Sequence, residues 1–173
     1  MTELWTQKVY VKPKINEHLE LDWTNIDFHS SVEVCAKAAK ERDLENLIWL
    51  RSQGCDFDFR VGLFAVNNND LEMLIWLKSN NYSFDSRVAA LAARLGYLNI
   101  LIWLKNNGCK FNEDVCSFAV WFGHLDILIW AKNNNCPWND NVCKYGHSKL
   151  EVDAWLRTQN CPCCDLEVLQ IDF

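Results

Sequence analysis

From Leu44 onward, apolar and polar positions recur in a fixed order. The stretches "LENLIWLRSQGCDFD", "LEMLIWLKSNNYSFD", "LNILIWLKNNGCKFN" and "LDILIWAKNNNCPWN" begin at Leu44, Leu71, Leu98 and Leu125, an equal step each time. A shortened fifth copy, "LEVDAWLRTQNCPC", starts at Leu150, slightly sooner than that step requires. Within a copy, Leu71, Met73, Leu74, Trp76 and Leu77 are apolar, whereas Glu72 and Ser79 are polar. That spacing predicts a short amphipathic helix. Each copy closes on Gly54, Asn81, Gly108, Asn135 or Asn160. Gly and Asn are the residues that most readily take the left-handed conformation ending a helix.

Between the stops and the next copy runs a second, small-residue segment: "VEVCAKAAKE", "VGLFAVNN", "VAALAARL" and "VCSFAVWF". Val34, Val61, Val88, Val115 and Val142 are in step, as are Ala38, Ala65, Ala92 and Ala119. These runs, two of them closed by Gly96 or Gly123, predict an inner helix narrow enough for neighbours to approach. Each unit then reads as loop, inner helix, tight turn and outer helix. No single hairpin can cover its own apolar face, so the units must stack. The recurrent Trp49, Trp76, Trp103, Trp130 and Trp155 are expected to fill one continuous core between units. The fold class expected is an all-α solenoid of about five short repeats.

These residues resemble ankyrin repeats. The pattern A-A-x-x-G-H-L-x-x-L-x-x-L-x-x-x-G is visible in "FAVWFGHLDILIWAKNNN" and "LAARLGYLNILIWLKNNG". The likeness is greatest to the short-repeat ankyrin proteins of large DNA viruses of protists, whose "NGCPW" turn is matched by "NNCPWND". It covers about Ser31 to Cys164. The usual ankyrin unit has about 33 residues and opens with T-P-L-H-x-A. Here "RVGLFA" or "RVAALA" stands in that place, and the projecting hairpin finger of longer units is missing. The resemblance implies a non-catalytic module that binds a partner protein in its inner groove, acting in the cytoplasm, that of a host if the chain is viral. The F-box found in members of that family is not carried over, because the segment 1–30 is too short and too polar.

The two ends break the period. Residues 1–30 are expected to cap the first unit, with Val9, Tyr10 and Val11 in a short strand ended by Pro13. The repeats occupy 31–164, and 165–173 form a C-terminal tail or cap.

Composition narrows the function classes. A formal net charge of −6 with scattered Lys and Arg lacks the basic footprint of a nucleic-acid or anionic-membrane binder. No apolar stretch reaches the roughly 18 to 20 residues of a membrane span. "MTELWTQKVYVKPK" lacks the apolar core of a secretory leader, so the nine cysteines are expected to be reduced thiols. Cys55, Cys109, Cys136 and Cys161 share a repeat position with Tyr82, and Cys35, Cys116 and Cys143 share one with Gly62 and Ala89. Alternation with Tyr, Gly and Ala marks apolar filler. The C-terminal group is different, since Cys143, His147, Cys161, Cys163 and Cys164 hold donors suited to tetrahedral zinc. Paired C-x-x-C spacing is absent, so no metal is assigned. Cys143 and His147 lack an orienting third group, so no catalytic residue is assigned either. No cofactor is expected.

Two surfaces remain for a partner. The inner-groove row comprises Phe59, Arg60, Ser86, Arg87, Glu113, Asp114, Asp140 and Asn141, turning from basic to acidic along the chain. Trp121 and Phe122 join it, because their counterparts Asn67, Asn68, Arg94 and Leu95 show that the repeat does not require aromatics there. On the outer helices Ile48, Ile75, Ile102 and Ile129 lie between polar positions. They form either an exposed ladder for self-association or a row covered by the long side chains of adjacent repeats.

Overall fold

The structure is a computed structural model in which residues 31–159 are described. Among them are ten helices and no strand. Five inner helices are α1 (Ser31–Lys40), α3 (Phe59–Asn67), α5 (Ser86–Leu95), α7 (Asp114–Phe122) and α9 (Asp140–Gly146). They alternate with outer helices α2 (Leu44–Ser52), α4 (Leu71–Ser79), α6 (Leu98–Asn106), α8 (Leu125–Asn133) and α10 (Leu150–Thr158). The expected strand at residues 9–11, the cap over 1–30 and the tail over 165–173 lie outside the described residues.

Left-handed residues fix the turns between these helices. Gly54, Asn81, Gly108 and Asn135 all have positive φ, between 53° and 87°, as the sequence predicts. The amide that follows each one returns to a carbonyl near the helix end: Cys55 to Leu50, Tyr82 to Leu77, Cys109 to Leu104, Cys136 to Ala131. This is the Schellman closure, which satisfies carbonyls that the helix end would leave orphaned. The first four inner helices close likewise through Arg42, Asn69, Gly96 and Gly123, also at positive φ. Asp43, Asp70, Tyr97 and His124 then bond back to Ala38, Ala65, Ala92 and Ala119.

Helix starts are less uniform. Asp43 and Asp70 cap α2 and α4 by accepting from the amides of Asn46 and Met73, whereas Tyr97 and His124 give α6 and α8 no side-chain cap. The His124 imidazole spans to the preceding unit instead, with Nε2 3.2 Å from the Arg94 carbonyl oxygen. Asp58, Asp85 and Asn139 cap α3, α5 and α9. Asn112, in the same register, does not: its amide donates to Asp114, and its Oδ1 is buried without a partner. α7 accordingly begins one position later in the repeat than its counterparts.

Inner helices pack directly on one another, α1 on α3, α3 on α5, α5 on α7 and α7 on α9, while consecutive outer helices make few contacts. The small side chains explain this. Ala38, Ala65, Ala92 and Ala119 and the valines Val61, Val88, Val115 and Val142 are almost wholly buried, with no long side chain to hold the backbones apart. Gly146 takes the alanine position in the last unit, where a methyl group would run into Leu156 and Val152 of α10. The core runs along the outer helices' inward face through Leu47, Leu50, Leu74, Leu77, Leu101, Leu104, Leu128 and Leu156. Burying each such side chain contributes about 1.5–3 kcal/mol.

The tryptophans do not fill that core. Trp49, Trp76, Trp103, Trp130 and Trp155 are half-buried and pack against its edge. Four of them meet the aromatic residue of their own unit's loop: Phe57–Trp76 at 5.7 Å, Phe84–Trp103 at 5.6 Å, Phe111–Trp130 at 6.0 Å and Trp138–Trp155 at 6.2 Å between ring centroids. A cation from the preceding outer helix lies over three of the loop rings, Arg51 over Phe57, Lys105 over Phe111 and Lys132 over Trp138. The space between splayed outer helices is therefore bridged by a Trp–aromatic–cation seam.

Candidate functional site

The inner face carries its side chains in registers set by the repeat. At its leading edge the sequence predicts a basic half from Arg60 and Arg87, but neither is available as an open charge. Arg60 donates to Asp58 at 2.6 Å and to Glu33 of the preceding unit at 3.0 Å, and both carboxylates hold its guanidinium above its ordinary pKa. Arg87 pairs with Asp85 and lies over the Phe59 ring, 4.0 Å from its centroid. The Arg87 hydrogen bond is the main reason the Asp85 carboxyl sits below the usual carboxylate range. The first half of the row is neutralised within the chain.

The second half is different. Glu113, Asp114, Asp140 and Asn141 are exposed, and among the described residues no cation lies within salt-bridge reach of the three carboxylates. Ser86, between the halves, is half-buried at the first turn of α5. At the far end of α7, Trp121 is 54% and Phe122 49% exposed. Trp121 stacks at a tilt on Tyr145 of α9, with centroids 4.5 Å apart. Aromatic rings left in water on a packed scaffold are the usual anchors of an interface.

Sequence reasoning missed the row between these edges. Phe64, Leu91, Phe118 and Tyr145 are half-buried on the inner helices, one per unit, and each packs against the core. Their signal is present in the chain, since the four positions are equally spaced at the repeat step. An apolar residue in a helix interior reads as core until the burial of its neighbours is known. Phe64 also lines a groove of about 280 Å3 between α1 and α3, with Glu33, Lys37, Lys40 and Arg60 around it.

On the outer surface the isoleucine row divides. Ile75 is 49% and Ile102 39% exposed, while Ile48 and Ile129 are half-buried. Neighbouring side chains therefore do not cover the middle of the ladder.

The thiols follow the filler expectation except at one position. Cys35, Cys55, Cys109, Cys116 and Cys136 are free and buried. Burial pushes the Cys35 and Cys116 thiols up to about 12 and Cys109 up to about 11. Cys143 departs from the expected reduced state: it is disulfide-bonded. His147 pairs with Asp153 of α10, which also accepts from Arg157, so the imidazole helps to join the last two helices. Cys161, Cys163 and Cys164 lie outside the described residues. Among the described residues no cluster of three or more His, Cys, Asp or Glu suits a metal ion, and no helix is long and apolar enough to cross a membrane. No family model, curated protein or solved structure matches the chain.

Proposed function

We propose that the chain is a non-catalytic protein-binding module, an ankyrin-like solenoid that takes a partner protein on its inner face. One observation carries this reading. Trp121 and Phe122 stand in water at the end of α7, beside the apolar row Phe64, Leu91, Phe118 and Tyr145. The scaffold does not need them, since Asn67 and Arg94 occupy the position of Trp121 in other units. A partner would bury the aromatics and bring cations to Glu113, Asp114 and Asp140. The likeness to viral short-repeat ankyrin proteins supports a site of action in host cytoplasm.

Quantitative pull-down with the native protein and the Trp121→Ala/Phe122→Ala variant tests the groove. The expected result is a set of co-purifying proteins depleted at least tenfold by the double substitution, with unchanged circular dichroism. Equal recovery by a folded variant removes the groove reading. The exposed Ile75 and Ile102 favour a second reading, self-association through the outer helices. Light scattering of the native and Ile75→Asp/Ile102→Asp proteins separates the two, because only self-association gives a mass above the monomer that the substitutions reduce.

A further inference from the structure

The two halves of the inner face differ in what they leave unpaired. On the first half both cations of the leading row are answered within the chain, Arg60 by Asp58 and Glu33 and Arg87 by Asp85. On the second half Glu113, Asp114 and Asp140 are exposed, and among the described residues no cation lies in salt-bridge reach of them. The Lys144 ammonium of α9 lies over the Tyr145 ring instead, 5.8 Å from its centroid. One of the three carboxylates is also held in place. The Asn112 amide donates to Asp114 Oδ2 at 2.7 Å, which fixes that group at the start of α7.

The same helix ends on exposed aromatics. Asp114 and Trp121 are seven positions apart, about two turns, so they share one side of α7. Along the axis they are separated by about 10 Å. Phe118, half-buried, lies between them on that side, and Tyr145 of α9 supports the Trp121 ring. The surface therefore runs from carboxylates, over an apolar floor, to an aromatic platform. An extended chain advances about 3.3 Å per residue, so about three residues cover that distance. A nucleic acid or an anionic membrane would meet like charge at the acidic end, so neither suits this face.

We propose that the α7–α9 end of the inner face docks an extended segment of a partner protein that carries a lysine or arginine about three residues from an aromatic or leucine side chain. The cation meets Glu113, Asp114 and Asp140, and the apolar side chain seats on Trp121, Phe122 and Tyr145. This rests on the inner-face reading above and adds to it the chemistry of the partner. The carboxylates steer and orient the segment, and the aromatics anchor it.

The test is selection from a phage-displayed random-peptide library on the full-length protein, followed by titration of the enriched peptides by fluorescence anisotropy. Enriched peptides are expected to carry Lys or Arg about three residues from Trp, Phe, Tyr or Leu. Their affinity should fall about tenfold with Glu113→Gln/Asp114→Asn/Asp140→Asn, and also with added salt. It should fall about tenfold with Trp121→Ala/Phe122→Ala, and both variants should keep the native circular dichroism. Charge reversal, Glu113→Lys/Asp114→Lys/Asp140→Lys, should exchange the selected cation for Asp or Glu. Peptides sensitive to the aromatic variant alone overturn this chemistry and leave the groove reading standing. Sensitivity to the carboxylate variant alone, or to neither, overturns both. A library that enriches nothing, or a cation at no fixed interval from the apolar residue, overturns the proposal as well. So does a light-scattering mass above the monomer that Trp121→Ala/Phe122→Ala lowers, which gives the face to a second copy.

Discussion

The inner and outer rows of helices solve the same packing problem in opposite ways. Inner helices touch directly, because Ala65, Ala92 and Ala119 leave nothing between their backbones. Outer helices stand apart, and large groups fill the space: Trp103 against Phe84, and Trp130 against Phe111 beneath Lys105. The contrast teaches that a repeat can be rigid on one side by having little to pack and continuous on the other by having much. Substitutions should therefore act with opposite sign of size on the two rows.

The largest expected effect is enlargement on the inner row. Ala92→Leu forces long side chains between α3, α5 and α7, and should lower stability by about 3 kcal/mol in urea denaturation. A variant as stable as the native protein would mean that the inner row is not close-packed. Truncation on the outer row comes next. Trp103→Ala removes half of a seam contact at a half-buried site, and a loss of about 2 kcal/mol is expected from the same measurement. Gly62→Ala should cost about 1 kcal/mol, because the clash with the tethered Tyr82 hydroxyl outweighs the helix propensity gained. Adding Tyr82→Cys should reverse the loss, and failure of that rescue would mean that the Tyr82 hydroxyl, which accepts from the Gly62 amide at 3.3 Å, is not what a side chain there would meet.

Alkaline pH probes the buried thiols without mutation. The inner-helix thiols Cys35 and Cys116 have folded pKa values raised to about 12 by burial, against roughly 8.5 in an unfolded chain. Their contribution is complete below the unfolded value and is lost as pH rises through the window to about 12. Denaturant midpoints should fall there, and less steeply for Cys116→Ala, which copies Ala89. The smallest effect belongs to a turn. Arg42 holds a φ of 62° where Asn69, Gly96 and Gly123 serve later units, so Arg42→Gly should stabilise by about 0.5 kcal/mol.

Much of this is legible in the residues. The period, the helix pairs, the stops at Gly54, Asn81, Gly108 and Asn135, and the buried alanines all follow from spacing and side-chain size. Spacing misplaces the tryptophans, because a large apolar residue at helical spacing looks the same whether it lies at the centre of a core or at its edge. It also presents Arg60 and Arg87 as open charges, because distance along the chain hides Glu33, a whole unit away from Arg60 yet ion-paired with it. The cysteine registers are both visible as filler. The facing relation of the two positions, seen in Gly62 and Tyr82, is not, since only stacking brings an inner-helix position beside the loop of the next unit.

The chain by itself determined the unit: where each helix begins to be apolar, where it must stop, and that a lone hairpin cannot hide its oily face. Those features depend on local conformational preference and on counting. Tertiary structure alone decided which side chains the stack swallows and which it leaves partly in water, Trp103 packed on Phe84 at the core's edge and Trp121 54% exposed on Tyr145, Ile48 half-buried and Ile75 open. Burial is a property of neighbours, and neighbours come from the adjoining units.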